Sequence, residues 1–150
     1  MRAVIQRVSR ASVVVENTEV GSIDNGLLIL LGVEEHDLPG DAEWLVKKIV
    51  AMRIFQDSQD KMNLDLRETG GNLLVVSQFT LHAMTRKGNR PSFVRAAKPG
   101  QAIPLYEYFI ECAEKELGKK IATGEFGAAM KVHLVNDGPV TILLDSKVKE

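Results

Sequence analysis

Two short stretches put hydrogen-bonding groups where a strand should simply continue. In "SQFTL", residues 77–81, an apolar run ends in three polar side chains, Ser77, Gln78 and Thr80, around one aromatic, Phe79. Backbone N–H groups at such a strand end can stabilise an oxyanion, a role that needs geometry and no special side chain. Thr80 is also a good strand residue, and that ordinary role outweighs a nucleophilic one. The second stretch, "NDGPVT" at 136–141, sits between "HLV" and "ILL", which otherwise read as one strand. Proline cannot donate to a ladder and glycine weakens a strand interior, so Gly138 and Pro139 serve something other than the sheet.

Other chemistries lack their residues. There is no GxSxG elbow, Walker loop or GxGxxG, hence no sign of a hydrolase serine or a nucleotide-phosphate cradle. His36, His82 and His133 lie far apart without HxxxH or CxxC companions, so no metal site and no cofactor is expected. The single cysteine, Cys112, permits no internal disulfide and falls at helical spacing with Leu105, Phe109, Ala113 and Leu117, as a small core residue would. "GEFG" matches the GXXG of a KH module, but the strand-like residues after it are wrong for that fold.

The formal net charge is only -1, yet the charges are unevenly spread. Residues 69–106 contain no Asp or Glu, while Arg86, Lys87, Arg90, Arg95 and Lys98 all fall inside. A neutral chain with a local basic stretch can still face phosphate. No apolar run approaches bilayer length, and the first ten residues lack a signal-type apolar core, so a cytoplasmic protein without membrane contact is expected.

These residues need a scaffold, and 150 residues of ordinary composition make a single domain, 1–150, with residues 145–150, which end in "SKVKE", as a solvated tail. "AVIQRVSRASVVV" reads as two short strands around Ser9 to Ser12, and residues 27–33 as a buried strand after the Asn25-Gly26 turn. Ala42, Leu45, Val46, Ile49 and Met52 mark one face of a helix, with Glu43 and Lys47 as an i,i+4 pair. "LLVVSQFTL" is the strongest strand; the basic loop after it is too long for a mere connection. About seven strands in runs and two helices predict an α+β fold: a mostly antiparallel sheet, curled toward a barrel and flanked by helices.

With these elements placed, four motifs in order, "SQFTL", "GNRPSF" at 88–93, "TGEFGAAM" at 123–130 and "NDGPVT", together with the opening "MRAVIQRVSRASVVV", resemble the D-aminoacyl-tRNA deacylases over essentially the whole chain. The resemblance implies a homodimer that hydrolyses the ester joining a D-amino acid to the terminal adenosine of tRNA, with glycyl-tRNA as a further substrate class. It implies a cis Gly138-Pro139 peptide that enters the partner's pocket and uses backbone carbonyls to exclude L-amino acids. By motif, the N–H groups around Phe79 and Thr80 would hold the oxyanion, and Ser77 and Gln78 would shape the pocket. Phe126, Gly127 and Met130 would receive the adenine, and Arg7 would brace the Gly-Pro loop. The alternative is a non-catalytic RNA-binding domain using the basic loop, which accounts for the acid-free stretch but not for Gly138 and Pro139.

Overall fold

The computed structural model describes residues 1–150. Its organising element is β1 (Arg2–Val15), one strand of 14 residues where two short strands were expected. Residues 2–8 pair antiparallel with β3 (Gly26–Gly32), and residues 11–15 pair on the same side with β2 (Thr18–Ile23). Ser9 and Arg10 fall at the changeover and are exposed, which is why the sequence reads as broken there. Along its other side β1 pairs with β8 (Lys131–Asp145), also antiparallel.

The order β2-β1-β3-β6-β7 brings in β6 (Asn72–Ser77) and β7 (Ala122–Thr123), both joined in parallel. The sheet curls until β2 meets β7. A Cβ on Gly21 would stand 2.4 Å from the Thr123 carbonyl oxygen, so only glycine lets the two edges come this close. The expected barrel-like α+β domain is therefore the observed one, with a parallel portion inside a mixed sheet. A separate two-stranded piece, β4 (Phe55–Gln56) with β5 (Met62–Leu64), lies outside it.

The runs "LLILL" and "LLVV" are continuous because their strands are covered on both faces. Leu27, Ile29, Leu31, Leu73 and Val75 pack toward the helices with Phe109, whereas Leu28, Leu74 and Val76 join Val8, Ala11 and Val13 in a second cluster. The helices are α1 (Pro39–Ala51), the short α2 (Leu66–Thr69) and α3 (Pro99–Leu117). Both long ones begin with proline, which suits a first helical turn, and Gly118 closes α3 in the left-handed conformation. Ala42, Leu45, Val46 and Ile49 are buried as the periodicity predicts. The Glu43–Lys47 pair is not formed; Glu43 instead accepts the Tyr108 hydroxyl at 2.6 Å and ties α1 to α3. No helix is long and apolar enough to cross a membrane.

The end of the chain is exposed from Lys147 to Glu150 but is also tied down. Ser146 is buried, its N–H donating to the Met1 carbonyl and its hydroxyl accepting from the Met1 ammonium. That ammonium also pairs with the fully buried carboxylate of Asp37 at 2.5 Å. Lys147 reaches Asp41 at 2.8 Å, and Lys149 stands 5.0 Å over the Trp44 ring. Lys147 and Lys149 thus tie the end of the chain to α1 by an ion pair and a cation–π contact that no periodicity announces.

Candidate active site

After Ser77 the chain leaves β6 and makes a single 3-10 turn, Phe79–His82. The first N–H groups of any helical turn lack intrahelical acceptors. Here neither the Phe79 nor the Thr80 N–H finds an acceptor in the chain. The rest of the segment is firmly held. Gln78 N–H donates to the Leu31 carbonyl (2.8 Å), Arg2 Nη1 to the Leu81 carbonyl (2.9 Å), and the His82 ring nitrogen lies 3.0 Å from the Gly32 carbonyl oxygen. His82 is buried in that contact, turned toward β3. The Thr80 hydroxyl is exposed and accepts the Gln78 amide, with no histidine or carboxylate bonded to it.

Beside this turn lies a cavity of about 580 Å³, mostly apolar. Ser77, Gln78 and Phe79 form one wall and Phe126, Gly127 and Met130 another, so the site residues predicted from "SQFTL" and "TGEFGAAM" meet here. Thr80 is not among the lining residues. Two aromatic pairs brace the walls: Phe79 against Phe93, centroids 5.1 Å apart edge to face, and Tyr106 against Phe126 at 5.5 Å. Burial pushes the Tyr106 phenol up to about 12, and its hydroxyl donates to the Val75 carbonyl at 3.1 Å. The N-terminal turn of α3 supplies Lys98, Pro99 and Ala102 to the rim. Sequence reasoning assigned no role to Phe93 or Tyr106. Phe93 was within reach as the aromatic end of "GNRPSF"; Tyr106 lies one position off the helix face that the spacing picked out.

Arg7, Gly138 and Pro139 do not line this cavity. They form a second construction, where β8 pairs with β1. Strand β8 pairs with β1 up to Asn136, opposite Val8, slipping by one residue at Ser9, and resumes at Thr141, opposite Gln6, so residues 137–140 loop out across from Arg7 alone. The Gly138-Pro139 peptide is cis, as the resemblance implies, and both residues are exposed. Asn136 staples the loop base: its Oδ1 accepts the Val140 N–H (2.7 Å) and its Nδ2 donates to the Val140 carbonyl (3.2 Å) and to Thr141 Oγ1 (3.0 Å). Val140 is buried and anchors the loop in the core. Arg7 is 5% exposed and donates to two carbonyls, Asp137 at 2.8 Å and Ile54 at 2.7 Å, without any carboxylate partner. The bracing role that the resemblance implies for Arg7 thus has its contacts.

A Cβ on Gly138, where φ is +152°, would stand 2.8 Å from the Val140 nitrogen and 3.3 Å from Arg7 Nη2. Only glycine fits the loop as built.

Fold and cavity together define a small α+β protein built on a nearly closed mixed sheet, with an apolar cavity beside the turn that follows β6. The D-Tyr-tRNA(Tyr) deacylase family description matches residues 4–145, and the chain belongs to that family. Proteins named D-aminoacyl-tRNA deacylase from Flavobacterium johnsoniae and Cytophaga hutchinsonii are 58% and 60% identical to it, each over the full length of both chains. A solved structure described as a c-Myc DNA unwinding element binding protein is 40% identical, with a TM-score of 0.91 over 97% of this chain and 98% of that one. A probable eukaryotic D-amino acid tRNA deacylase shares the fold, with a TM-score of 0.80 at 16% identity over 95% of this chain and 97% of the other.

Proposed function

We propose that the protein hydrolyses the ester of D-aminoacyl-tRNA to free amino acid and tRNA, as chiral proofreading in the cytoplasm. The observation that carries this reading is the pair of unclaimed N–H groups of Phe79 and Thr80 next to an apolar cavity with aromatic walls. An aminoacyl ester is already activated, so donors aimed at its carbonyl oxygen, together with positioning, can supply the catalysis. Water adds to the carbonyl carbon, the oxyanion rests on the two N–H groups, and the bond to the ribose 3′-oxygen breaks. The proton lost by water ends on that oxygen, with the adjacent 2′-hydroxyl as carrier. Thr80 contributes its backbone. Ser77 and Gln78 shape the acyl side, while Phe126, Gly127 and Met130 receive the adenine against a ring and a thioether.

The gate comes from a second copy. The loop at Gly138-Pro139 is exposed and takes no part in lining the cavity of its own chain, and β8 pairs only with β1. Strand β8 also exposes Leu134, Val135 and Leu143, the composition of a covered surface. A two-fold homodimer would lay each loop over the other's cavity and make two equal sites. Carbonyl oxygens of Gly138 and Pro139 would then meet the substrate ammonium and leave an L side chain no room. Glycine has no side chain to exclude, so glycyl-tRNA(Ala) is an expected second substrate. A bare nucleic-acid-binding role, which the description of the DNA unwinding element binding protein brings to mind, accounts for the basic loop but not for the cavity or the braced Gly138.

The test is release of amino acid from D-tyrosyl-tRNA and L-tyrosyl-tRNA, with light scattering on the same sample. Release of the D form alone by a dimer is expected. Release of both forms overturns the gate, release of neither overturns the activity, and a stable monomer with full D-selectivity overturns the shared site.

A further inference from the structure

The catalytic reading leaves three cations without a task. Met84 and Ser92 exchange backbone hydrogen bonds in both directions (2.8 and 2.9 Å), closing residues 85–91 into a projecting hairpin. Every residue of the hairpin is exposed, and its charges, Arg86, Lys87 and Arg90, form no ion pair and no hydrogen bond within the chain. Arg95 is different, since it pairs with Glu34. The root of the hairpin lies at the cavity, because Phe93, next to Ser92, packs on Phe79 and lines the wall.

We propose that this hairpin grips the phosphates of the single strand leading into the cavity, so that the substrate is recognised through its unpaired 3′ end more than through the body of the tRNA. The inference rests on the tRNA-ester reading above. A nucleoside held in the cavity must be unstacked, and the strand just before it must pass the rim where the hairpin is rooted. About three residues at ~3.3 Å each carry the tip roughly 10 Å outward. Over that reach each of the three cations can meet a phosphate of the passing strand. The hairpin offers no aromatic side chain between the charges, only Thr85, Gly88, Asn89 and Pro91. It therefore holds backbone without stacking on bases, and the grip is indifferent to sequence.

The experiment compares three D-tyrosyl esters, of adenosine, of a tetranucleotide ending in CCA and of whole tRNA, using wild type and the Arg86→Gln/Lys87→Gln/Arg90→Gln variant. Binding of the uncharged, fluorescein-labelled tetranucleotide is measured alongside at 50 and 150 mM salt. In wild type the tetranucleotide ester should have a KM within about threefold of that of tRNA and about tenfold below that of the adenosine ester. Three single-strand phosphate contacts at ~0.7 each give a salt slope near −2, about a tenfold weakening of tetranucleotide binding over that salt range. In the variant the tenfold advantage over adenosine and most of the slope should vanish. An unchanged advantage, or a loss confined to whole tRNA, overturns the proposal. Wild type that cleaves no ester but binds the tetranucleotide with this variant-sensitive slope removes the deacylase reading and keeps the hairpin's role.

Discussion

Arg2 and Arg7 stand five residues apart on the same strand, and each holds a segment of the proposed site by a backbone carbonyl. Arg2 holds the 3-10 turn through Leu81 (2.9 Å), and Arg7 holds the Gly138-Pro139 loop through Asp137 (2.8 Å). Their surroundings differ. Arg2 is partly exposed and neutralised by Asp145 at 2.8 Å, whereas Arg7 is buried among carbonyls with no carboxylate. A charge kept buried without a counter-ion is costly unless its donors are used. The 3-10 turn also has the Leu31 and Gly32 contacts. The looped-out residues of β8 depend on Arg7 and Asn136, so the two regions should tolerate damage very differently.

The largest effect is therefore expected at Arg7. Arg7→Gln leaves the Asp137 and Ile54 carbonyls without their donor, and each unmet buried group costs about 1–3 kcal/mol. If about 3 kcal/mol of that falls on the loop, kcat/KM for D-tyrosyl-tRNA drops by about 100-fold and the preference over L-tyrosyl-tRNA shrinks with it. Arg7→Lys should not rescue, since one ammonium lacks the fork that spans two carbonyls. Full selectivity in either variant would dissolve the contrast. Gly138→Ala should come close behind. Its Cβ would press on Val140 and Arg7, so the loop must be rebuilt and not merely narrowed at its tip. Loss of D-selective turnover with a melting temperature within a few degrees of wild type is the expected pair of results.

Arg2→Gln should cost less, about tenfold in kcat with little change in KM, because the turn keeps its bonds to β3. Asp145→Asn should reproduce part of that loss, and the double variant should be less than additive, as for residues sharing one bond network. Strict additivity would separate Asp145 from the turn. Thr80→Ala should matter less again, within about threefold, because the side chain lies outside the cavity lining and the N–H is unchanged. A collapse to the uncatalysed rate would make its hydroxyl the nucleophile and void the backbone account.

The contrast also explains what could be read from the sequence. Strands buried on both faces and helices with one apolar face betray themselves by period, so β3, β6, α1 and most of α3 were legible. The cavity was legible in part, since the two motifs that carry Ser77, Gln78, Phe79, Phe126, Gly127 and Met130 do converge. What had no signal were bonds between a side chain and a distant carbonyl: Arg7 to Ile54, Arg2 to Leu81, Tyr106 to Val75. A carbonyl is present at every residue, so nothing in a side chain's identity says which one it will hold. The length of β1 was hidden for a related reason. Its polar middle, Ser9 and Arg10, looks like a turn but marks where one neighbouring strand gives way to another.

Acid separates the two clamps with the smallest effect. Carbonyl acceptors do not titrate in the accessible range, so Arg7 keeps its hold on the loop at any pH at which the protein is folded. Asp145 does titrate. Burial works against its carboxylate, but hydrogen bonds from Arg2 and the Lys147 N–H, with the nearby amino terminus, outweigh it and hold the group below its ordinary 3.8. A depressed carboxylate contributes stability that is complete above the unfolded value and is lost as pH falls through the folded one. The window thus lies below about pH 4, and the sign is loss on acidification. Because the pair is partly exposed, its worth is about 0.2–1 kcal/mol. Asp41, held at about 2 by Lys147 against the cost of burial, fades over a similar range and adds to the wild-type slope. Urea unfolding of wild type and Asp145→Asn from pH 6 to pH 2.5 isolates the Asp145 share. The gap between the two proteins should be largest near pH 6 and close as the carboxylate protonates, and a gap that stays constant would mean that Arg2 is held by something other than that charge.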